Sequence, residues 1–302
     1  MLDYVYLGMY KFFGLLLSVL PRFLTIKLMK ALAWFAYTFS SKHRKIISTN
    51  LDIAFNDLPK EEKKRMGISA FMNLIDTTFG IVLRDGMSKD EVVKNVTFEG
   101  DTIVNQSIND GKKIIFVTGH QGNWELLSQS IAIHFNITLV GVGRKLDSDM
   151  MDKVLKKNRE QFNVEMVYKK GAMKGCIKAL GENKAVGILT DQAIRPDQSI
   201  EVDFFGQRAT HTPLASILSR KFGIDLIPAY ISTKDYINYH VKVYPPIKSI
   251  KTDNQEDDLA KITQAQAKAM ETVIKEHPKQ WFWMHRRWKG TNKNVNILGE
   301  SR

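Results

Sequence analysis

The stretch Lys112 to Phe135, KKIIFVTGHQGNWELLSQSIAIHF, decides the fold class. Within it Ile114, Ile115, Phe116 and Val117 follow one another without a polar break. A short continuous apolar run rich in Ile and Val predicts a buried strand. Gly119 and Gly122 then bracket a turn, after which Trp124, Leu127, Ile131 and Phe135 recur at helical spacing. A strand that turns tightly into a helix is the repeating unit of a parallel α/β sheet.

The same pattern continues along the chain. Leu139 to Gly143, Ala185 to Thr190, Ile224 to Ser232 and Asn238 to Tyr244 predict further short strands. Helices are predicted from Pro59 to Leu83, opened by LPKEEKKRM, from Pro213 to Phe222, and from Asp257 to Glu276, stopped before Pro278. GCIKAL (175–180) reads as helical and makes Cys176 a core residue. No internal repeat and no linker rich in Gly, Ser or Pro divides residues 41–302, which are expected to form a single α/β domain with a mostly parallel sheet flanked by helices.

Composition narrows the class. The 302 residues are 44% hydrophobic and 25% charged, which excludes disordered, collagenous and low-complexity chains. The single cysteine excludes an internal disulfide framework and any multi-cysteine metal centre. Forty-four basic residues against 32 acidic ones leave a charge of +12. The surplus is concentrated in three segments, residues 1–50, 140–180 and 275–302. Positive charge so placed suits an anionic partner: an acidic lipid surface, an acidic carrier protein or nucleic acid.

The N-terminus bears on that choice. Tyr4 to Leu20, YVYLGMYKFFGLLLSVL, is apolar apart from Lys11. As a helix it would span about 25 Å, short of the roughly 30 Å hydrocarbon core of a bilayer. Asp3 in place of a basic leader, and no small-residue cleavage site before Pro21, argue against a signal peptide. From Arg22 to Phe39 the cations Arg22, Lys27 and Lys30 fall on one arc of a helix and leave the other face apolar and aromatic. Residues 1–40 are therefore expected to be a pair of helices anchoring the chain to a membrane, with the following chain kept cytoplasmic. Two buried core helices are the alternative reading.

At the end of the decisive strand stands Gly119-His120-Gln121-Gly122-Asn123-Trp124-Glu125. Open α/β sheets gather ligands at the carboxyl ends of their strands, so side chains on this turn are placed for chemistry. His120 is the natural general base because its ordinary pKa lies nearest neutrality. Glu125, in the first turn of the following helix, is expected to orient it and to stabilise the imidazolium. A structural histidine is the competing reading.

GHQGNWEL (119–126) resembles the signature of the late acyltransferases of lipid A biosynthesis, the lauroyl- and myristoyl-transferase group, which also includes the phosphatidylinositol mannoside acyltransferase. The likeness runs in order through RKIISTNLDIAF (44–55), Gly143-Arg144, Arg159, GCIKAL, Asp191-Gln192, DFFGQRATHTPLA (203–215), Pro228 and WFWMHRRWK (281–289). Gln121, Asp203 and the IRPDQS stretch (194–199) depart from the family pattern, and bear on the acceptor and chain used. The resemblance implies a glycerolipid-acyltransferase-like fold on the cytoplasmic face of the bacterial inner membrane. It implies transfer of an acyl chain from acyl carrier protein or acyl-CoA to a glycolipid hydroxyl at an anionic membrane surface. It further implies His120 and Glu125 as the catalytic pair, with Asn123, Arg144, Arg159, Asp191 and Gln192 in binding or supporting roles. No cofactor, metal or nucleic acid is called for.

Other readings stay open at this level. Arg159, among Lys153, Lys156 and Lys157, fits a solvated helix face, and Asp191 fits a turn or cap. Trp281, Phe282, Trp283 and Trp288 around His285, Arg286 and Arg287 fit either core packing or an interfacial aromatic belt. A basic nucleic-acid binder would explain the charge, and an inactive membrane scaffold would explain the N-terminus.

Overall fold

The computed structural model describes residues 2–291; Met1 and residues 292–302, including Lys293 and Arg302 of the basic C-terminal segment, lie outside it. Its strands are β1 (Val96–Glu99), β2 (Ile115–Thr118), β3 (Leu139–Gly143), β4 (Val164–Tyr168), β5 (Ala185–Leu189), β6 (Ile200–Phe204), β7 (Gln207–His211), β8 (Leu226–Thr233) and β9 (Tyr239–Val243). Its helices are α1 (Leu2–Val19), α2 (Arg22–Phe39), α3 (Ser41–Ala54), α4 (Lys60–Leu83), α5 (Lys89–Val93), α6 (Thr102–Asn109), α7 (Trp124–His134), α8 (Asp149–Arg159), α9 (Ala172–Gly181), α10 (Leu214–Phe222) and α11 (Gln255–Glu276). The elements expected from sequence fall where their periodicity put them, with ends shifted by a few residues at most.

Seven strands form one sheet in the order β1-β9-β8-β2-β5-β3-β4. Every neighbouring pair is parallel except β8–β9. Two helical layers cover it, as a parallel sheet requires. Phe116 of β2 packs with Leu127 and Ile131 of α7 on one face. Its neighbours Ile115 and Val117 pack with Cys176 of α9, Leu218 of α10 and Ile262 of α11 on the other. The unbroken apolar run in β2 thus reflects burial on both sides. Cys176 is fully buried, and burial pushes its thiol up to about 11, which leaves it inert.

A third core lies beside the sheet. It joins Leu17 of α1, Met29 and Ala33 of α2 and Phe71 of α4 to Phe204 of β6 and to Trp281, Trp283 and Trp288. Those three tryptophans are almost wholly buried, so core packing, not an interfacial belt, is their role. The turn at residue 40 between α2 and α3 is not a gap in packing, because α2 shares this core with the body. The small hairpin β6–β7 turns on Phe205 and Gly206, both with positive φ, the geometry of a two-residue type I′ loop.

The N-terminal segment forms the two expected helices, but the apolar run is not the most span-like element. Among the described residues one helix is long and apolar enough to cross a membrane, and it is α4; more than half of its apolar window is buried inside the protein. In α1 the charges of Asp3 and Lys11, two glycines and three tyrosines dilute the apolar run. Thirteen of the seventeen exposed large hydrophobic side chains among the described residues nevertheless belong to α1 and α2.

Candidate functional site

β2 and β5 pair in parallel with Thr118 opposite Leu189. Continuing that register two residues past each strand brings His120 level with Asp191. Their side chains meet: His120 Nδ1 lies 2.7 Å from Asp191 Oδ1. The backbone N–H of His120 donates to Asp191 Oδ2 at 2.9 Å, and the indole N–H of Trp281 donates to the same oxygen at 2.9 Å. The carboxylate is 3% exposed and the imidazole 20% exposed, so one partner is sealed and the other opens to solvent. Burial alone would raise the pKa of Asp191; the neighbouring His120 charge and the three hydrogen bonds outweigh it and hold the carboxyl well below the usual range.

An ionised carboxylate on Nδ1 fixes the tautomer, with the proton on Nδ1 and a lone pair on Nε2. Nε2 faces outward, 3.4 Å from Nε2 of Gln192. The rings of Trp124 and Phe282 stand 5.0 and 5.9 Å from the imidazole and wall the opening. This is the geometry of a general base.

The turn carrying His120 is held from several sides. Phe282 N–H donates to His120 C=O at 2.9 Å, and Gly122 N–H donates to Gln280 C=O at 2.9 Å. Gly122 has φ near +55°, and a Cβ there would run into the carbonyl oxygen of Ile231, so only glycine fits. Asn123 caps α7, its Oδ1 accepting from Leu126 N–H at 3.1 Å. The amides of residues 120, 121 and 122 are all engaged within the protein.

Glu125 does not do what its position suggests. It lies in the first turn of α7, yet its carboxylate takes a two-pronged pair from Arg159: Nε donates to Oε2 at 2.8 Å, and Nη2 donates to Oε1. The structure thus brings Asp191, and not Glu125, against the His120 imidazole. Glu125 points along α7 toward α8, whereas the adjacent strand β5 delivers Asp191 directly to the ring. Arg159 is correspondingly no solvated face residue; it is three-quarters buried against Glu125.

The remaining expected site residues separate into groups. Gln192 joins His120 and Asp191. Asn123, Glu125 and Arg159 lie behind the turn. Arg144 is exposed, pairs with Asp147 at 3.2 Å, and borders a small recess that Arg159, Lys156 and Tyr168 also line. Residues that sequence reasoning missed include Trp281 on Asp191 and His285, whose Nε2 accepts the Ala193 N–H at 2.8 Å and so fixes the segment after Gln192. Burial brings His285 down to about 4 and His211 down to about 3, so both are neutral at pH 7. Among the described residues no group of three or more His, Cys, Asp or Glu gathers for a metal.

Comparison with known proteins identifies the family. The sequence model of a family described as bacterial lipid A biosynthesis acyltransferase matches residues 1–290. A lipid A biosynthesis acyltransferase of Haemophilus influenzae is 24% identical over 93% of this chain and 86% of its own. A lipid A biosynthesis lauroyltransferase of Escherichia coli K12 is 26% identical over 86% of this chain and 83% of its own. A phosphatidylinositol mannoside acyltransferase of Mycobacterium tuberculosis is 24% identical over 59% of this chain and 55% of its own.

Proposed function

The chain belongs to the bacterial lipid A biosynthesis acyltransferase family and is an O-acyltransferase; on that premise we propose that it moves a fatty acyl chain from an acyl thioester, carried by acyl carrier protein or coenzyme A, to a hydroxyl of a lipid A precursor. A hydroxyl is a weak nucleophile until a base removes its proton. His120 Nε2 takes that proton as the oxygen attacks the thioester carbonyl. Asp191 keeps the ring in the right tautomer and stabilises the imidazolium without itself taking the proton. Collapse of the tetrahedral intermediate breaks the C–S bond, and the imidazolium returns the proton to the leaving thiolate. The thioester is already activated, so no covalent enzyme intermediate is required.

The single observation that carries this reading is the 2.7 Å contact of His120 Nδ1 with a buried, ionised Asp191 at the carboxyl edge of adjacent parallel strands. Stabilisation of the oxyanion falls to groups other than the glycine turn and Arg159, which are already engaged. The Gln192 amide, beside Nε2, is the donor in reach.

The exposed apolar side of α1 and α2 supports a membrane site of action. Val5, Met9, Phe12, Leu15 and Val19 share one side of α1 at the 3.6-residue repeat, and all are exposed. Phe23, Trp34, Phe35 and Phe39 extend the surface on α2, with Lys27 and Lys30 nearby. An apolar face edged by cations lies in the headgroup region of an anionic bilayer, here the cytoplasmic face of the inner membrane. On this reading the site stands beside a lipid acceptor.

The test is mass spectrometry of lipids after incubating the purified protein with lauroyl-acyl carrier protein, lauroyl-CoA and a lipid A precursor. An acyl-mass increment on the precursor with the wild-type chain, absent with His120→Ala, supports the proposal. No increment with either donor, or wild-type product from His120→Ala, overturns it.

A further inference from the structure

A stripe of buried polar groups runs along α4 and its C-cap. Asn73, Asp76, Thr77, Gly80 and Arg84 share one side of that helix at the 3.6-residue repeat, and they point into the protein. Buried polar groups are stable only where they are partnered, so each contact of this stripe is informative. Asn73 Nδ2 donates to Lys279 C=O at 2.7 Å. Thr77 Oγ1 lies 2.9 Å from Asn73 C=O and 3.3 Å from Gly122 C=O, and its one proton is shared between the two acceptors. Asp76, almost wholly buried, accepts from Asn123 Nδ2 at 3.0 Å and from Tyr239 OH at 2.9 Å. Gly80 is open because a Cβ would meet Arg84 and Asn123. Two residues of α4 therefore grip the 122–123 peptide, two positions beyond His120.

The third partner of the Asp76 carboxylate comes from the N-terminal helices. Arg22, the first residue of α2, lies 3.2 Å from Asp76 Oδ1, and its guanidinium also donates to Tyr236 C=O and Tyr239 OH. Burial pushes the Asp76 carboxyl above its usual range, and the Arg22 charge is the largest influence opposing that shift. One carboxylate thus touches the first turn of an N-terminal helix and the cap of the helix that begins at the reacting turn.

We propose that Asp76 is a positioning residue for acyl transfer, holding Asn123 and with it the His120 turn, and that Arg22 makes this hold depend on the seating of α2. The proposal rests on the acyl-transfer reading only for its kinetic arm. Asp76 touches no reacting atom; it acts through Asn123 on the placement of His120 Nε2 relative to the bound hydroxyl. Misplacement of a reacting group by about 1 Å costs on the order of a hundredfold in rate.

The experiment compares wild type with Asp76→Asn, Arg22→Gln and Arg22→Lys, each as the full chain in mixed phospholipid–detergent micelles. Peptide-level hydrogen exchange is the first readout and needs no substrate. Both Asp76→Asn and Arg22→Gln are expected to speed exchange about tenfold or more in residues 119–127 while leaving residues 164–189 unchanged. The second readout is kcat and KM for lauroyl transfer to a lipid A precursor. A fall in kcat of about tenfold to a hundredfold with KM within a factor of two is expected, with Arg22→Lys recovering most of it. Unchanged exchange at 119–127, or a uniform rise along the chain, overturns the positioning role. So does a loss confined to KM. A wild-type chain that transfers no acyl group sinks the functional reading alone, and the exchange arm still decides the hold on the turn.

Discussion

The turn after β2 and the helix pair α1–α2 handle surface in opposite ways. Around His120 almost every polar group is committed: the Asp191 carboxylate meets the imidazole and accepts from the His120 amide and the Trp281 indole, while the Phe282 amide donates to the His120 carbonyl. On α1 and α2 apolar side chains are left uncommitted, with Tyr4, Leu15, Val19 and Phe39 about 70% exposed. The first arrangement fixes atoms to fractions of an ångström. The second fixes nothing by itself and gains free energy only when another apolar phase covers it. Loss of the exposed apolar side chains and loss of the His120 chemistry should therefore be separable, the proposed Arg22 link through α2 being the one point where they meet.

The largest effect is expected from His120→Ala. Loss of a positioned base costs about 10²–10⁴ in rate, and sedimentation with anionic vesicles should be unchanged. Asp191→Asn should come next, at about 10²–10³ in kcat, because an amide cannot balance the imidazolium. The double variant should be hardly slower than His120→Ala, since the two act as one unit. Multiplicative losses in that cycle would break the dyad.

On the other side of the comparison, Phe12→Ser, Leu15→Ser and Val19→Ser combined should release the protein from vesicles in a flotation assay. Each side chain withdrawn from the bilayer loses about 1.5–3 kcal/mol at full burial, so even partial insertion predicts a partition change of about tenfold to a hundredfold. Turnover of a detergent-dispersed substrate should stay within about a factor of two. Retained attachment would put the anchor elsewhere.

A smaller effect sharpens the distinction between the two carboxylates near the turn. Glu125→Gln leaves Arg159 half-partnered in a largely buried place and should cost about 2–4 kcal/mol of stability, read as a lower unfolding midpoint in urea. In the His120→Ala background that cost should be the same, because Glu125 braces α7 against α8 and does not serve the imidazole.

The smallest effect is on pH dependence. His285, with its pKa lowered by burial to about 4, refuses a proton that the unfolded chain accepts below about 6.5. The unfolded state then binds more protons, so stability falls as pH drops from about 6.5 toward 4, by about 2–3 kcal/mol for this group. Asp191 acts in the same direction at lower pH, where its carboxylate must finally protonate. His285→Gln should flatten the urea midpoint between pH 6.5 and 4; an unchanged slope would assign it to His211.

How much of this was legible in the sequence follows from burial. β2, β3, β5 and β8 are apolar runs because both of their faces are covered, and all four were readable. β1 and β4 sit at the two edges of the sheet, carry polar residues and left no such run. The β6–β7 hairpin was passed over because its turn is Phe205-Gly206, not a typical turn dipeptide. His120 was visible as a reactive type on a glycine turn. The residues alone do not pair it with Asp191, which enters only through the family resemblance in a supporting role, because nothing local says that β5 lies beside β2 with Thr118 against Leu189. Glu125 is near in sequence and Asp191 is near in space, and the sheet order decides between them. The polar stripe on α4 was similarly hidden, since Asn73, Asp76 and Arg84 in an apolar helix reveal their meaning only through partners on other elements.

The contact of Trp281 with Asp191 also orders events in time. A ribosome extends a chain by about 5–20 residues per second, so residue 281 follows residue 39 by on the order of ten to fifty seconds. Until the segment from Gln280 to Phe282 has been made, Asp191 lacks its indole donor and the His120 turn lacks the strand-like pairing of Gln121 with Trp281. The apolar helices that would seek a bilayer are finished long before then. On the proposed membrane reading, attachment can precede the reactive geometry during synthesis, and a nascent or C-terminally truncated chain lacks that geometry.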